Sequence, residues 1–277
     1  MDSDGSADWL NALHSLASSD EFNARCRCLR AGQGHQLRAY RVDAAALMLP
    51  LQGTKAVREG SLKTVVAPGE TLLITRPCVL DTETHPDPAT GRYEAVVIAI
   101  PPATIDNARR LVPGTLRQGG ASVARLSNAR VQGALAAWAA ALQGQRGSLA
   151  CHALVGLVLQ LYEEGFHALL EPRPPRLGER IHALVTENPA RDWAARTLEP
   201  LLFMSEASMR RHLAAEGTSL RRVVREARLS AALELLYTTR LPIKTVATRV
   251  GYASVPSFAA RFIERFGVEP ARIGNTP

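Results

Sequence analysis

The sequence predicts an α+β protein in two parts, a small antiparallel β-barrel or sandwich with flanking helices followed by an all-helical domain. Three observations carry that expectation. Short apolar runs separated by turn residues fill positions 22–100. Helical spacing takes over after Pro101-Pro102. The stiff stretch Glu171-Pro-Arg-Pro-Pro-Arg176 then interrupts the helices at a step in charge.

The charge step places the boundary. The 277 residues carry 33 Lys+Arg and 26 Asp+Glu, a net charge of +7, and 46% are hydrophobic, too many for a disordered tail. Residues 1–172 hold 16 basic and 16 acidic side chains, whereas 173–277 hold 17 and 10, so the whole excess lies after the boundary. A neutral body joined to a basic module points to a polyanion, either nucleic acid or an anionic membrane. Only Lys55, Lys63 and Lys244 are lysines. Arginine suits bidentate contact with phosphate and guanine, although genomic base composition explains a chain-wide bias equally well.

The elements follow in order. Trp9, Leu10, Leu13 and Leu16 space like a short amphipathic helix over 8–17. Strands are expected at Leu37–Val42, Ala46–Leu51, Thr54–Val57, Leu62–Val66, Thr71–Ile74, Val79–Thr84 and Tyr93–Ile100, with Gly53, Glu59-Gly60, Pro68-Gly69, Pro77 and 87–91 between them. Residues 103–170 read as helices: Val131, Leu135, Trp138 and Leu142 form one stripe, and 149–162 is apolar on nearly every side, as in a buried or subunit-contacting helix.

After the linker, one pattern occurs twice. Arg196–Leu202 reads as a short helix, Phe203-Met204 as a tight turn, and Ser205 as the cap of a helix that buries Met209 and Leu213 and ends at Gly217. The second copy has a helix with Ile243, Val246, Ala247 and Val250 inward, a turn at Gly251-Tyr252, and a Ser254-capped helix with Phe258, Phe262 and Phe266. These phenylalanines sit at i, i+4 and i+8, a core spacing rather than a base-stacking platform. Between the copies, 219–239 reads as one helix of roughly 30 Å, close to the ~34 Å between major-groove faces on one side of B-DNA.

These residues resemble the AraC/XylS family of bacterial transcription regulators. The matching text is Met204-Ser-Glu-Ala-Ser-Met-Arg-Arg-His-Leu213 with Glu216-Gly-Thr-Ser219, and Arg228-Leu-Ser-Ala-Ala-Leu-Glu-Leu-Leu236. Most specific is Val246-Ala-Thr-Arg-Val-Gly-Tyr-Ala-Ser254 followed by Phe258, Phe262 and Phe266-Gly-Val-Glu-Pro270. Leu49-Pro-Leu-Gln-Gly-Thr-Lys55 with Pro68-Gly-Glu-Thr-Leu-Leu-Ile74 is similar to the cupin-like N-terminal domain of one branch. The resemblance implies a cupin-like sensor and dimerisation domain at 1–172 and a DNA-binding domain with two helix-turn-helix motifs at 173–277. It also implies promoter DNA, RNA polymerase, a small-molecule effector and a second copy of the chain as partners.

Carried over by position, the base-reading residues fall on Ala207, Arg210 and Arg211 in the first unit and on Pro256, Ala259 and Ala260 in the second. Arg261 lies one position, about 100°, from the place where the family often has a long polar side chain. The first unit is therefore expected to read bases through Arg210 or Arg211, supported by Ser205 and Ser208. The second is expected to grip phosphate through Ser254, Ser257 and its helix N-terminus. Pro200 departs from the pattern and is expected to kink its helix.

Enzyme chemistry finds little purchase. The sequence has no GxSxG, HExxH, Walker A or GxGxxG motif. Cupin-type metal sites need a His-x-His pair, and the barrel region offers only the separated His35 and His85. Cys26-Arg-Cys28 reads as a buried strand pair and Asp81/Glu83 as an exposed strand face. No catalytic residue, metal or cofactor is expected; Tyr40, Arg76, Glu83 and His85 are the candidate effector contacts. The acidic start, the lack of a spanning apolar run and the four cysteines without CxxC spacing predict a cytoplasmic protein with no membrane partner.

Overall fold

The computed structural model describes residues 4–19 and 25–273. The acidic start at 1–3 and the onset of the strand pattern at Phe22 lie outside them. The chain divides into two compact units, Met1–Pro172 and Arg173–Pro277.

The first unit begins with helix α1 (Asp4–Ala17), followed by β1 (Cys26–Ala31), β2 (His35–Val42), β3 (Ala46–Gln52) and β4 (Thr54–Glu59). Next come β5 (Leu62–Val66), β6 (Glu70–Ile74), β7 (Cys78–His85) and β8 (Tyr93–Ala99), all antiparallel. They form two sheets, ordered β1-β8-β3-β6-β9 and β2-β7-β4-β5, where β9 is Val123–Ser127. Helices α2 (Pro102–Leu111), α3 (Gln132–Gln143) and α4 (Gly147–Glu163) complete the unit.

Strand β9 corrects the all-helical reading of 103–170. Only five residues long, it pairs with β6 from Glu70↔Ser127 to Ile74↔Val123. A run this short carries almost no period of its own, and the sheet edge supplies its hydrogen bonds.

Register explains how one sheet serves two interiors. Leu47↔Ile98 and Leu49↔Val96 fix those side chains on one face. They join Leu13 of α1, Leu135 and Trp138 of α3 and Leu157 and Leu161 of α4 in a buried core. Each such leucine contributes roughly 1.5–3 kcal/mol of burial. The opposite face, with Met48, Leu72 and Tyr93, meets the second sheet, as the approach of Lys55 in β4 to the Tyr93 ring shows. The β3–β4 turn depends on Gly53 at φ +71°, because a Cβ there would lie 2.4 Å from the His85 carbonyl oxygen.

The second unit is helical: α5 (Leu177–Glu187), α6 (Ala195–Leu202), α7 (Glu206–Ala215), α8 (Leu220–Thr238), α9 (Ile243–Arg249), α10 (Val255–Phe266) and α11 (Pro270–Ile273). Leu177, Ile181, Trp193, Leu198, Met209, Leu213, Val223 and Ala227 close the core around the first helix pair. In α10, Phe258, Phe262 and Phe266 are fully buried, with centroids 5.5 and 4.8 Å apart, which makes them core side chains. Pro200 lies inside α6, which continues through it.

Candidate nucleic-acid interface

Helix α7 begins where Ser205, in extended backbone, turns its Oγ to accept from the Ser208 N–H at 3.4 Å. Met209 and Leu213 face the core, so Ala207, Arg210, Arg211 and His212 are left exposed on the outer face and Ser208 half-buried beside them. Arg211 donates to Ser208 Oγ at 3.1 Å. Arg210 has no hydrogen-bond or ion-pair partner among the described residues.

Helix α10 repeats the construction. Ser254 Oγ accepts from the Ser257 N–H at 3.3 Å, and Pro256 occupies the first turn, where no intrahelical donor is lost. Ser254, Pro256, Ser257, Ala260 and Arg261 are exposed, while Ala259 is half-buried. Arg261 is engaged on its own helix: its guanidinium donates to Glu264 at 2.7 Å, and that bond holds the Glu264 carboxyl below its ordinary range. The first unit therefore offers an unengaged arginine, and the second mainly hydroxyls and a helix N-terminus.

Two side chains of the matching stretches to which the sequence assigns no role hold these helices in place. Arg228 in α8 donates to the carbonyls of Pro189, Gly251 and Arg191 at 2.8, 3.3 and 3.1 Å, fastening the α9–α10 turn to the α5–α6 connection. Glu216, just after α7, accepts from the Leu177 and Gly178 N–H groups at 2.8 and 3.0 Å and so caps α5. Arg228 lies seven residues after Arg221 and three after Arg225, on their side of α8, so helical spacing alone gave no signal for its role.

The four candidate effector contacts are not brought together. Glu83 and His85 lie on the outer side of β7, where Glu83 bonds Lys63 at 2.9 Å and pairs with Arg58 at 3.7 Å. Arg76 is spent on Ser122, Gly120 and Glu171, and Tyr40 is half-buried beside the bulge in β2. Among the described residues, the polar groups on the inward face of this sheet include Lys55, Thr82, Thr84 and, across from Thr84, His35. The parity of Lys55 with buried Val57 was the available sequence signal.

Cys28 is the other chemically rich position. Its thiol donates to Glu94 at 3.2 Å, and the same carboxylate oxygen accepts from Arg30 at 2.8 Å and bonds His14 at 3.0 Å. The ligand atoms of His14, Cys28 and Glu94 lie within 4.8 Å of one another, a spacing a transition metal could share. Burial, together with the Glu94 carboxylate, raises the Cys28 pKa and keeps the thiol protonated.

The fold and this geometry define a two-unit protein whose C-terminal unit carries paired, serine-capped helix-turn-helix motifs. A family model described as a helix-turn-helix domain matches residues 201–275, and this segment is of the AraC type. The HTH-type transcriptional regulator GadX of Escherichia coli is 30% identical over 121 residues, 43% of this chain and 44% of that protein. VqsM of Pseudomonas aeruginosa, also an HTH-type transcriptional regulator, is 33% identical over 118 residues, 43% of this chain and 36% of its own. The chain thus spans less than half the length of these curated relatives. Over nearly its full length the fold is similar to apo ToxT from Vibrio cholerae, with a TM-score of 0.61 at 15% identity, covering 89% of this chain and 94% of that one. ToxT solved with an unsaturated fatty acid bound gives a TM-score of 0.59 at 15% identity, covering 89% and 92%.

Proposed function

We propose that the chain is a sequence-specific, DNA-binding transcription regulator of the AraC/XylS type, in which residues 1–172 sense and dimerise and residues 173–277 bind promoter DNA. The observation that carries this reading is the repeated outward face: two serine-capped helices with buried apolar sides, joined by the 19-residue α8. At about 1.5 Å per residue α8 approaches the spacing of successive major-groove faces. Arg210 and Arg211 read bases, with Ala207 and Ser208 close to the base edges, while Ser205, Ser254, Ser257 and Arg261 hold phosphate and Pro256 and Ala260 line the second groove.

The N-terminal unit takes a small-molecule effector between its sheets and shifts the population able to occupy paired half-sites. A ToxT structure of similar fold holds an unsaturated fatty acid, which supports a small-molecule effector for this chain as well. A second copy of the chain docks on the α3–α4 hairpin, where Leu149 stands exposed beside a groove of about 440 Å³ lined by Ala134, Ala137, Ala153 and Gly156. RNA polymerase is the downstream partner, and the cytoplasm the site of action. No helix among the described residues is long and apolar enough to cross a membrane.

The direct test is to sequence the genomic fragments that the full chain retains. A shared motif with two half-sites is the expected result, and fragments with no common sequence would remove the regulator reading. The effector reading is checked by thermal-shift screening against metabolites, where a scaffold without ligand would respond to none.

A further inference from the structure

Helix α1 packs on the face of β1 that bears Cys26 and Cys28. Register sets Arg30 of β1 directly across from Glu94 of β8, and Cys28 stands two residues along β1 on the same side. The Cys26 thiol meets the Leu13 carbonyl at 3.9 Å, and Leu13 and Cys28 share one buried core. His14, the next residue of α1, reaches Glu94 at the rim of that core.

Three groups meet at one atom. Glu94 Oε1 lies 3.0 Å from His14 Nε2, 3.2 Å from Cys28 Sγ and 2.8 Å from Arg30 Nε. Cys28 is 2% exposed, whereas the side chains of His14 and Glu94 are 39% and 21% exposed. The cluster thus has a dry floor and a rim that solvent reaches. Fastening α1 to the sheet does not account for all of it. A carboxylate oxygen has two lone pairs, and Arg30 with either of the other groups already fills them. With its proton on Nδ1, His14 also turns a lone pair toward the carboxylate, a contact that repels until a cation lies between the two.

We infer that His14, Cys28 and Glu94 form a site for a divalent transition metal of the zinc class, with three protein ligands and a fourth position open to water. The inference goes beyond the regulator reading and does not depend on it. The ligand set selects the class. Nitrogen, sulfur and oxygen together suit Zn²⁺ and its neighbours, whereas Mg²⁺ and Ca²⁺ require shells of oxygen. Around a tetrahedral zinc, with bonds of about 2.0–2.3 Å, ligand atoms lie roughly 3.3–3.6 Å apart. Here two of the separations are 3.0 and 3.2 Å and all three atoms lie within 4.8 Å of one another, so a small rotation of the partly exposed His14 ring closes the shell. Binding forms three metal–ligand bonds and releases the Cys28 thiol proton to solvent. The thiolate and the carboxylate then balance the dication. Arg30, which also donates to Ser18 Oγ at 2.9 Å, remains on the carboxylate as the outer partner that orients it. The bound metal staples α1 to β1 and β8. No metal is expected from the sequence because His14 and Glu94 stand 80 positions apart, outside any ligand motif.

The test uses the full chain without a tag, stripped with EDTA, kept reduced, and titrated with Co²⁺ and then Zn²⁺. Co²⁺ should bind once per chain with a thiolate-to-cobalt charge-transfer band, and Zn²⁺ should displace it and raise the melting temperature. Cys28→Ser should abolish the band, and His14→Gln should weaken Co²⁺ at least about tenfold. Cys151→Ser, which removes an exposed thiol, should change neither. If Cys28→Ser does not fold, His14→Gln decides alone, because the His14 side chain is partly exposed. Absence of the band, its survival in Cys28→Ser, an unchanged affinity in His14→Gln, or its loss in Cys151→Ser overturns the inference. Each of these leaves the regulator reading standing, since that reading is tested on DNA.

Discussion

Arg210 and Arg211 are neighbours in sequence with different tasks in hand. Arg211 is braced by Ser208, while Arg210 has no partner among the described residues, so Arg210 is the stronger candidate for a bidentate bond to guanine. Arg210→Ala should reduce the preference for a selected site over random DNA by roughly 1–3 kcal/mol in competition binding. An equal loss on both DNAs would assign it to phosphate. Phe203 presents the opposite case: it is 95% exposed and sits at φ +52° in the α6–α7 turn, a conformation that disfavours any residue with a Cβ. Phe203→Gly should raise stability by about 1 kcal/mol in urea titration, and a decrease would show that the ring has a partner. Lys55 sets a pH signature. Its folded pKa of about 7 lies below the ordinary 10.5, so between these values the unfolded chain binds more protons and stability rises with pH. The rise should be visible from about pH 7 until thiols begin to ionise in the unfolded chain near 9.0, and Lys55→Met should flatten it.

At the level of elements, the two recognition helices share a device and differ in what they present. Each starts at a serine whose Oγ satisfies the amide three residues on, and each buries one apolar face. Ser254→Ala should cost about 1 kcal/mol of stability and weaken binding to specific and random DNA alike, as a phosphate grip requires; a loss confined to the specific site would contradict that division. These helices were legible in the sequence because caps, C-terminal glycines and i, i+4 spacing are local signals. Strand β9 was not, since its five residues acquire meaning only beside β6. The inward face of β7 was equally hidden. Glu83 and His85 drew attention by their chemistry, while Thr82 and Thr84, one residue out of phase, are the ones that point between the sheets.

For the molecule as a whole, the charge partition organises function. All of the excess positive charge lies in 173–277, with α7, α8 and α10 carrying exposed arginines. Electrostatic gripping alone gives affinity without sequence preference, so basicity and readout must be separated by measurement. The most direct one is the equilibrium affinity of the full chain for a genomic site it selects and for a scrambled duplex of equal length, across a salt series. The account predicts that both affinities fall steeply with salt, while the selected site stays at least about a thousandfold tighter throughout. Equal affinities at every salt concentration, or an affinity for the selected site that ignores salt, would contradict it.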